Sequence, residues 1–535
     1  MVSSRWFVAL GDRSPQEQRR VLGGVRRSLL MLMAIALLCL GIPQSSWADA
    51  TAQPAINIQP YIDRVVNNIT EFTLDNGMKF IVLKRDKAPV ISFMTYVDVG
   101  SAYEAEGKTG AAHFLEHLAF KGTTRIGTTN YRAERPLLNR LDRLFDQIQA
   151  AKAAGKPDAE IKSLQEQFET LRKQAASYVR QNEYGQIVER AGGVGLNATT
   201  SADETRYFYS FPANKLELWM SLESERFLEP VFREFFEEKD VILEERRLRT
   251  DNSPIGKMIE EFLKTAFPGH PYGRPIIGYE EDIRNLTRQD IQDFYDKYYT
   301  PNHIISVIVG DVDPAQVKEL AHVYFGRYKA QSQAPDVQAT APVQTAPREV
   351  TLRLPTQPWY LEGYQRPSVR DRDHVVYDMI SSILSGGRTS RLYRALVEQK
   401  LTLNIAVMNS FPGDRYPTMM LLYALTAPGH TPEEVAAVIG RELERLKREP
   451  VSAEELDRVK TQTRAGLLRL LASNEGMTDL LSEYEAKTGS WRNLFEELKA
   501  IEAVTAADVQ RVARATFVPE KMTIGKLLPP EASQS

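Results

Sequence analysis

The chain has 535 residues, with 67 Lys and Arg against 70 Asp and Glu, a net charge of −3. Apolar residues at 43% and charged residues at 26% are ordinary for a globular protein, and a near-neutral balance argues against a dedicated nucleic-acid binder. A single cysteine, Cys39, excludes a disulfide scaffold.

Cys39 lies in an apolar run at residues 29–42. Arg26 and Arg27 precede the run, and a small-residue segment containing Ser46-Trp47-Ala48 follows it. Basic, then apolar, then small is the order of a secretory signal. The run is short for a membrane span, which needs ~20 residues. Residues 1–48 are therefore expected to be a signal peptide. The protein is expected to be exported, periplasmic or extracellular, and membrane-anchored only if that segment stays uncleaved. Without Cys39 the mature chain has no thiol, so a metal site would need His and carboxylate ligands.

Farther along, Phe72, Leu74, Met78, Phe80 and Val82 alternate around Asn76-Gly77, a strong hairpin signal. Residues 90–99 read as a third strand, and a helix starts near Gly110. Residues 137–178 read as two helices with 4-3-4 apolar spacing, broken at Gly155-Lys156-Pro157-Asp158. This helical hairpin, within 131–184, reads as an insertion. A structural arm is the plainer role for it, and a docking or gating element the alternative. Residues 330–347, rich in Ala, Gln and Pro, read as a linker. The two sides of it look related. Ile283, Thr287, Asp290, Gln292 and Pro301 recur as Ile501, Thr505, Asp508, Gln510 and Pro519, always 218 residues apart. Each repeat reads as helix, proline, strand.

The chemistry concentrates in His113-Phe114-Leu115-Glu116-His117. Helix positions i and i+4 share a face, so both imidazoles can grip one Zn²⁺. Glu116 lies one turn on from His113 and can reach a water there without being a ligand. H-x-x-E-H is the inverted order of H-E-x-x-H. The chain holds only 7 histidines, which makes two at this spacing informative. A third ligand is required. Residues 235–249 are strongly helical in pattern. Glu238, Val241, Glu245 and Leu248 share one face, and Glu237, Asp240, Glu244 and Arg247 a wholly charged one. The first set puts carboxylates among apolar neighbours, where an unpaired charge is costly. Glu245 or Glu238 is therefore the expected ligand, and Glu244 is not.

These segments, HFLEHLAFKGT, GLNATTSADETRYFY, DVILEERR, HPYGRPIIG and VIVGDVDP, resemble the pitrilysin/insulinase family of zinc peptidases, in its processing-peptidase-like branch. The resemblance spans nearly everything from Ile69 to Leu528. It implies that His113 and His117 bind zinc, that Glu116 is the general base, that Glu245 is the third ligand and that Glu238 supports the ligands from behind. It implies an α+β fold of two homologous domains, each a mainly antiparallel sheet with helices packed on one face, forming a clam-like chamber. The domains map to 62–329 (catalytic) and 348–530 (non-catalytic). His117 to Glu245 spans 128 residues against a family interval of about 75, and the hairpin accounts for most of the excess. Asn197 and Ala198 fall on the family's substrate strand, where a peptide adds to a sheet edge. For Tyr207 and Tyr209, strand packing is the expectation for at least one.

In the second half, residues 386–393 look like the counterpart of the motif helix and hold no histidine. A later helix, 453–467, carries Gln462 where the first half has Glu245. One Zn²⁺ per chain follows. The expected activity is zinc-dependent endopeptidase action on peptides or unfolded segments. The alternative is a non-catalytic or conditionally active subunit of a heterodimer with a motif-less homologue. Expected partners are peptide substrates and a second chain, as a homodimer or such a heterodimer; nucleic acid is not expected.

Overall fold

The computed structural model describes residues 59–330, 337 and 339–531. The expected signal peptide with Cys39 lies outside them, as does part of the expected linker. Among the described residues no helix is long and apolar enough to cross a membrane.

The Asn-Gly signal forms the hairpin it promised. Strand β1 (Ile69–Thr73) pairs antiparallel with β2 (Lys79–Lys84), with Phe72 opposite Phe80. The Asn76 amide donates to the Phe325 and Tyr328 carbonyls at 2.9 and 3.2 Å, and Leu74, Met78, Phe80 and Val82 are buried. Strands β3 (Val90–Val97), β4 (Val194–Thr200), β5 (Thr205–Pro212) and β6 (Ile304–Gly310) complete a sheet in the order β1-β2-β6-β3-β5-β4. Only β2 and β6 run parallel.

The second sheet holds β7 (Arg348–Arg353), β8 (Trp359–Arg366), β9 (Thr402–Phe411), β10 (Thr418–Thr426) and β11 (Met522–Leu528), in the order β7-β11-β8-β10-β9. Set aside β1, and the two orders correspond strand for strand. The single parallel pair, β2/β6 in one and β7/β11 in the other, occupies the same place.

The helices that position the site and join the halves are α1 (Ala111–Leu118), α2 (Tyr131–Ala153), α3 (Asp158–Ala176), α4 (Phe235–Arg246), α5 (Pro254–Ala266), α6 (Arg288–Tyr298), α7 (His374–Ser385), α8 (Ala453–Ala472), α9 (Asn474–Thr488) and α10 (Ala506–Thr516). The 218-residue repeat has a physical counterpart in two of them. Thr287 caps α6 and Thr505 caps α10, each in a reciprocal capping box with the aspartate three residues on, Asp290 or Asp508. The repeated residues are the ones that start a helix.

The halves exchange helices. Phe80, Val82, Phe93 and Ile308 face the first half's own helices, while Ile81, Leu83, Met94, Val307 and Val309 alternate to the other face and are equally buried. Helix α9 from the second half lies there, against β3 and β6. Reciprocally, α5 of the first half lies on β7 and β11. That approach is close enough to demand glycine. A Cβ at Gly525 would sit 2.7 Å from Met258 and 2.9 Å from Phe262, both on α5. From Val65 onward the chain is accordingly one compact unit. The architecture is the expected pair of related α+β halves, consistent with a clam-like chamber.

Helices α2 and α3 form the hairpin read from the sequence. Leu138, Leu141, Ile148, Phe168, Leu171 and Ala175 are buried in its seam. The hairpin docks on α4, where Phe236 meets Phe145 and Phe168 at ring-centroid distances of 5.2 and 4.8 Å. Arg172 bridges to Glu237 at 2.5 Å and Asp240 at 3.2 Å, and Arg288 to Asp142 at 2.5 Å.

Two local expectations need correction. The residues at 386–393 form a turn running into a short π-helical segment, Tyr393–Val397. By chain order after β8, the counterpart of the motif helix is α7, which Gly386 and Gly387 bring to an end. Helix α4 stops at Arg246 rather than 249 and passes into a π-helical turn, Arg247–Asp251.

Candidate metal centre

Helix α1 starts at Gly110, whose φ of +89° suits glycine. A Cβ there would also meet the Ile277 carbonyl at 2.6 Å. The orphan amides of the helix start find the buried carboxylate of Glu104, which accepts from Gly110 at 3.0 Å and Ala112 at 2.9 Å. Burial pushes that carboxyl up to about 8, against these hydrogen bonds. The helix is thereby fixed one turn before its histidines.

His113 and His117 stand on one face, ring centroids 4.8 Å apart. Helix α4 packs against α1 and brings Glu245 between them. Glu245 Oε2 lies 3.8 Å from His113 Nε2 and 3.6 Å from His117 Nε2. The three ligand atoms lie within 4.8 Å of one another, the one such group among the described residues. Ligand atoms ~2.0–2.1 Å from a tetrahedral ion sit about 3.4 Å apart, and the two carboxylate–imidazole distances are within a few tenths of an ångström of that spacing. The donors, two imidazole nitrogens and a carboxylate, also match a catalytic zinc set with one position left open.

Each donor is held from behind. His117 Nδ1 pairs with Glu238 Oε2 at 3.1 Å, which leaves Nε2 toward Glu245. Glu238 is itself held by Lys121 at 2.5 Å. Burial lowers the His117 pKa, but the bond to Glu238 and the nearby Glu245 outweigh it and raise it overall. Burial drives His113 down to about 3, reinforced by His117 and Arg249, so this imidazole stays neutral and metal-competent. Glu245 Oε1 takes an ion pair from Arg249 at 2.6 Å, which turns Oε2 alone toward the imidazoles. Such outer contacts orient ligands and tune the metal. Glu238→Gln is therefore expected to weaken zinc affinity by about 10–100-fold; competition with a chromophoric chelator measures it, and an unchanged affinity would contradict the role.

Glu116 is kept apart from these donors. The Thr200 hydroxyl, at the end of β4, donates to its Oε2 at 2.5 Å. Burial raises the Glu116 pKa, partly offset by this bond and by His117. The turn after Thr200 is anchored by the second half. Asp203 accepts from the Asp414 and Arg415 amides at 2.8 and 3.1 Å, and from the Tyr272 hydroxyl at 2.6 Å.

Strand β4 is a sheet edge. Asn197 is exposed there and Ala198 buried, with the Asn197 side chain accepting the Ala198 N–H at 2.9 Å. Tyr207 and Tyr209 are both packed in the core, at 1% and 3% exposure. The structure places the expected pair, Glu245 and Glu238, beside the histidines, but not for the reason that the apolar spacing suggests. Val241 and Leu248 are 48% and 65% exposed. The buried side of α4 is Phe235, Lys239, Ile242 and Arg246 instead. Glu238 and Glu245 are covered by histidine, lysine and arginine, not by apolar packing. The charged face is in part the hairpin's docking site through Glu237 and Asp240.

Thr200, Lys121 and Arg249 escaped the sequence reading. Arg249 had a signal, since it lies four residues past Glu245 on a helical pattern. In the second half α7 carries His374 and Asp378, 3.7 Å apart, with His374 Nδ1 also against Arg366 at 3.2 Å. Gln462 on α8 is exposed.

The model described as "Insulinase (Peptidase family M16)" matches residues 80–135 and 169–280, and that described as "Peptidase M16 inactive domain" matches 285–463. Together they cover more than half of the chain. The chain belongs to the M16, or pitrilysin/insulinase, family. The break in the first match falls within the helical hairpin. A Helicobacter pylori protein named zinc protease PqqE is 29% identical over 469 residues, covering 85% of this chain and 92% of that one. A Bacillus subtilis protein described as the uncharacterized zinc protease YmxG is 22% identical over 453 residues, covering 84% and 96%. The crystal structure of a protease from Helicobacter pylori superposes with a TM-score of 0.73 at 29% identity, over 86% of this chain and 99% of that chain. The first half of the periplasmic protease PqqL from Escherichia coli shares the fold with a TM-score of 0.62 at 17% identity, over 87% and 92%.

Proposed function

We propose that this M16 chain is a zinc-dependent endopeptidase that cleaves peptides or unfolded segments outside the cytoplasm. The observation that carries the proposal is the convergence of His113, His117 and Glu245 with a separately held, half-buried Glu116 beside them. The three ligands would hold one zinc ion per chain. The metal, when bound, supplies Lewis acidity toward water and toward a carbonyl oxygen. Glu116 takes the proton of the attacking water and delivers it to the departing amine nitrogen. Burial raises its pKa, which favours return of the proton once it is taken up. Thr200 fixes the carboxylate's orientation for both transfers. Glu238 and Lys121 hold the His117 tautomer, and Arg249 holds Glu245.

The peptide adds to the free edge of β4 by backbone hydrogen bonds, at Asn197 and Ala198. Thr200 lies at the end of the same strand, so an added peptide runs directly to Glu116. Strand addition requires an extended chain, which restricts substrates to peptides and unfolded segments. Export follows from the signal-like residues 1–48, and the PqqL relative is a periplasmic protein by its description.

Metal analysis with peptide-library digestion tests this. One zinc per chain is expected. Cleavage should stop with a chelator and return with zinc, and Glu245→Gln should lose both metal and cleavage. Cleavage that persists through complete removal of zinc would refute the reading. Stoichiometric zinc in Glu245→Gln would move the ligand role to Glu238.

A further inference from the structure

The inserted hairpin has one face that neither the metal site nor its own packing uses. Arg132, Arg135, Arg140 and Arg143 line a shallow open groove along α2, with Tyr131 and Asn139 beside them. All four arginines are exposed, and among the described residues none has an ion-pair partner. Elsewhere the hairpin's charges facing the body are matched: Arg172 by Glu237 and Asp240, Asp142 by Arg288, and Glu134 by Arg233. Asp146, one turn past Arg143, is the one nearby exposed acid on α2. The four arginines stand out against a chain whose net charge is −3.

At 3.6 residues per turn they fall within an arc of about 140°, centred opposite the buried Glu134, Leu138 and Leu141. They span about 16 Å of helix. Helix stability does not account for them. Arg132 and Arg135 lie in the first turns, where the macrodipole disfavours cations. The pairs 132/135 and 140/143 repel at i,i+3 spacing. The family model passes over residues 136–168, so Arg140 and Arg143 lie in the unmatched stretch, while Arg132 and Arg135 stand at the end of the matched one.

We propose that this face docks the protein on an anionic phospholipid surface. Four guanidinium forks in a row along one helix match a broad array of phosphates, where a single small anion would meet one or two of them. The row points away from α4 and the metal ligands, which argues against a role in holding the substrate. This choice of occupant rests on the export proposed above: the apolar run at residues 29–42 would bring such a chain to a membrane, and a lipid surface is the anion presented there. The proposal is independent of the zinc reading.

Co-sedimentation of the purified full chain with vesicles tests it. Phosphatidylcholine vesicles serve as the neutral control and register any contribution of the N-terminal apolar segment. Vesicles with one-third phosphatidylglycerol should bind at least about tenfold more protein, since each arginine contributes about fivefold at low salt. High salt should abolish the difference. Changing all four arginines to glutamine (R132Q, R135Q, R140Q, R143Q) should remove it with an unchanged circular dichroism spectrum. The all-lysine variant should keep most of it, which guards against loss through misfolding. Equal binding to both vesicle types, or undiminished binding by the glutamine variant, overturns the proposal. So does retention on immobilised polyglutamate without retention on anionic vesicles, which would assign the face to an acidic protein.

Discussion

Replacing Glu116 by glutamine is expected to leave one zinc per chain and to lower kcat/KM by about 10²–10⁴. The expectation rests on separation of roles. Glu116 is hydrogen-bonded to Thr200 rather than grouped with His113, His117 and Glu245. Glutamine keeps the side-chain shape and an oxygen for the Thr200 hydroxyl, but it cannot accept a proton. Metal analysis and steady-state kinetics on the same preparation read both halves of the statement. Full activity would remove Glu116 from the mechanism, and loss of zinc would make it a ligand. Thr200→Val should fall between wild type and Glu116→Gln, because the base remains and loses only its orientation.

The second large effect concerns Arg233, which lies just before α4 and is fully buried. Its guanidinium pairs with Glu134 of α2 at 3.0 Å and donates to the carbonyls of Lys121 at 2.6 Å, Thr123 at 2.7 Å and Ile126 at 2.9 Å. Gly122 and Gly127 make room for it, since a Cβ at either would meet its Nη1 at 3.0 or 2.8 Å. Arg233→Ala strands a buried carboxylate and three carbonyls, and is expected to cost about 3–5 kcal/mol. Urea denaturation measures it. The loop it holds carries Lys121, which holds Glu238, so zinc affinity should fall as well. A variant of wild-type stability would mean that water replaces the guanidinium. Glu134→Gln should cost less, because the amide oxygen can still accept from Nε.

Much of this was legible in the chain. The histidine spacing, the Asn-Gly turn, the hairpin's apolar seam and the 218-residue repeat are local patterns, and local patterns survive folding. The repeat was readable because Thr287/Asp290 and Thr505/Asp508 each perform a task, starting a helix, that tolerates few residue types. Contacts across long sequence separations were not legible. Thr200 meets Glu116 over 84 residues, and Arg233 meets Glu134 over 99. Nothing in one sequence marks such a pair. The burial of α4 was misjudged for a related reason. Periodicity says which residues share a face but not which face meets the core. Val241 and Leu248 read as buried because they are apolar, and they are exposed instead. The second-half helix was misplaced because 386–393 resembles a motif in composition, whereas its glycines end a helix.

The exchange of α5 and α9 between the halves carries a consequence for how the protein can be divided. Among the described residues the second half has no metal set, yet its α9 covers the sheet face formed by Ile81, Leu83, Met94, Val307 and Val309. An isolated first half would present that face to water as a broad apolar surface. The second half is therefore a folding subunit of the first that happens to be joined to it covalently. A cut in the linker would leave a non-covalent heterodimer with the candidate metal centre intact, whereas a gene truncated at the same point would yield a fragment prone to aggregate.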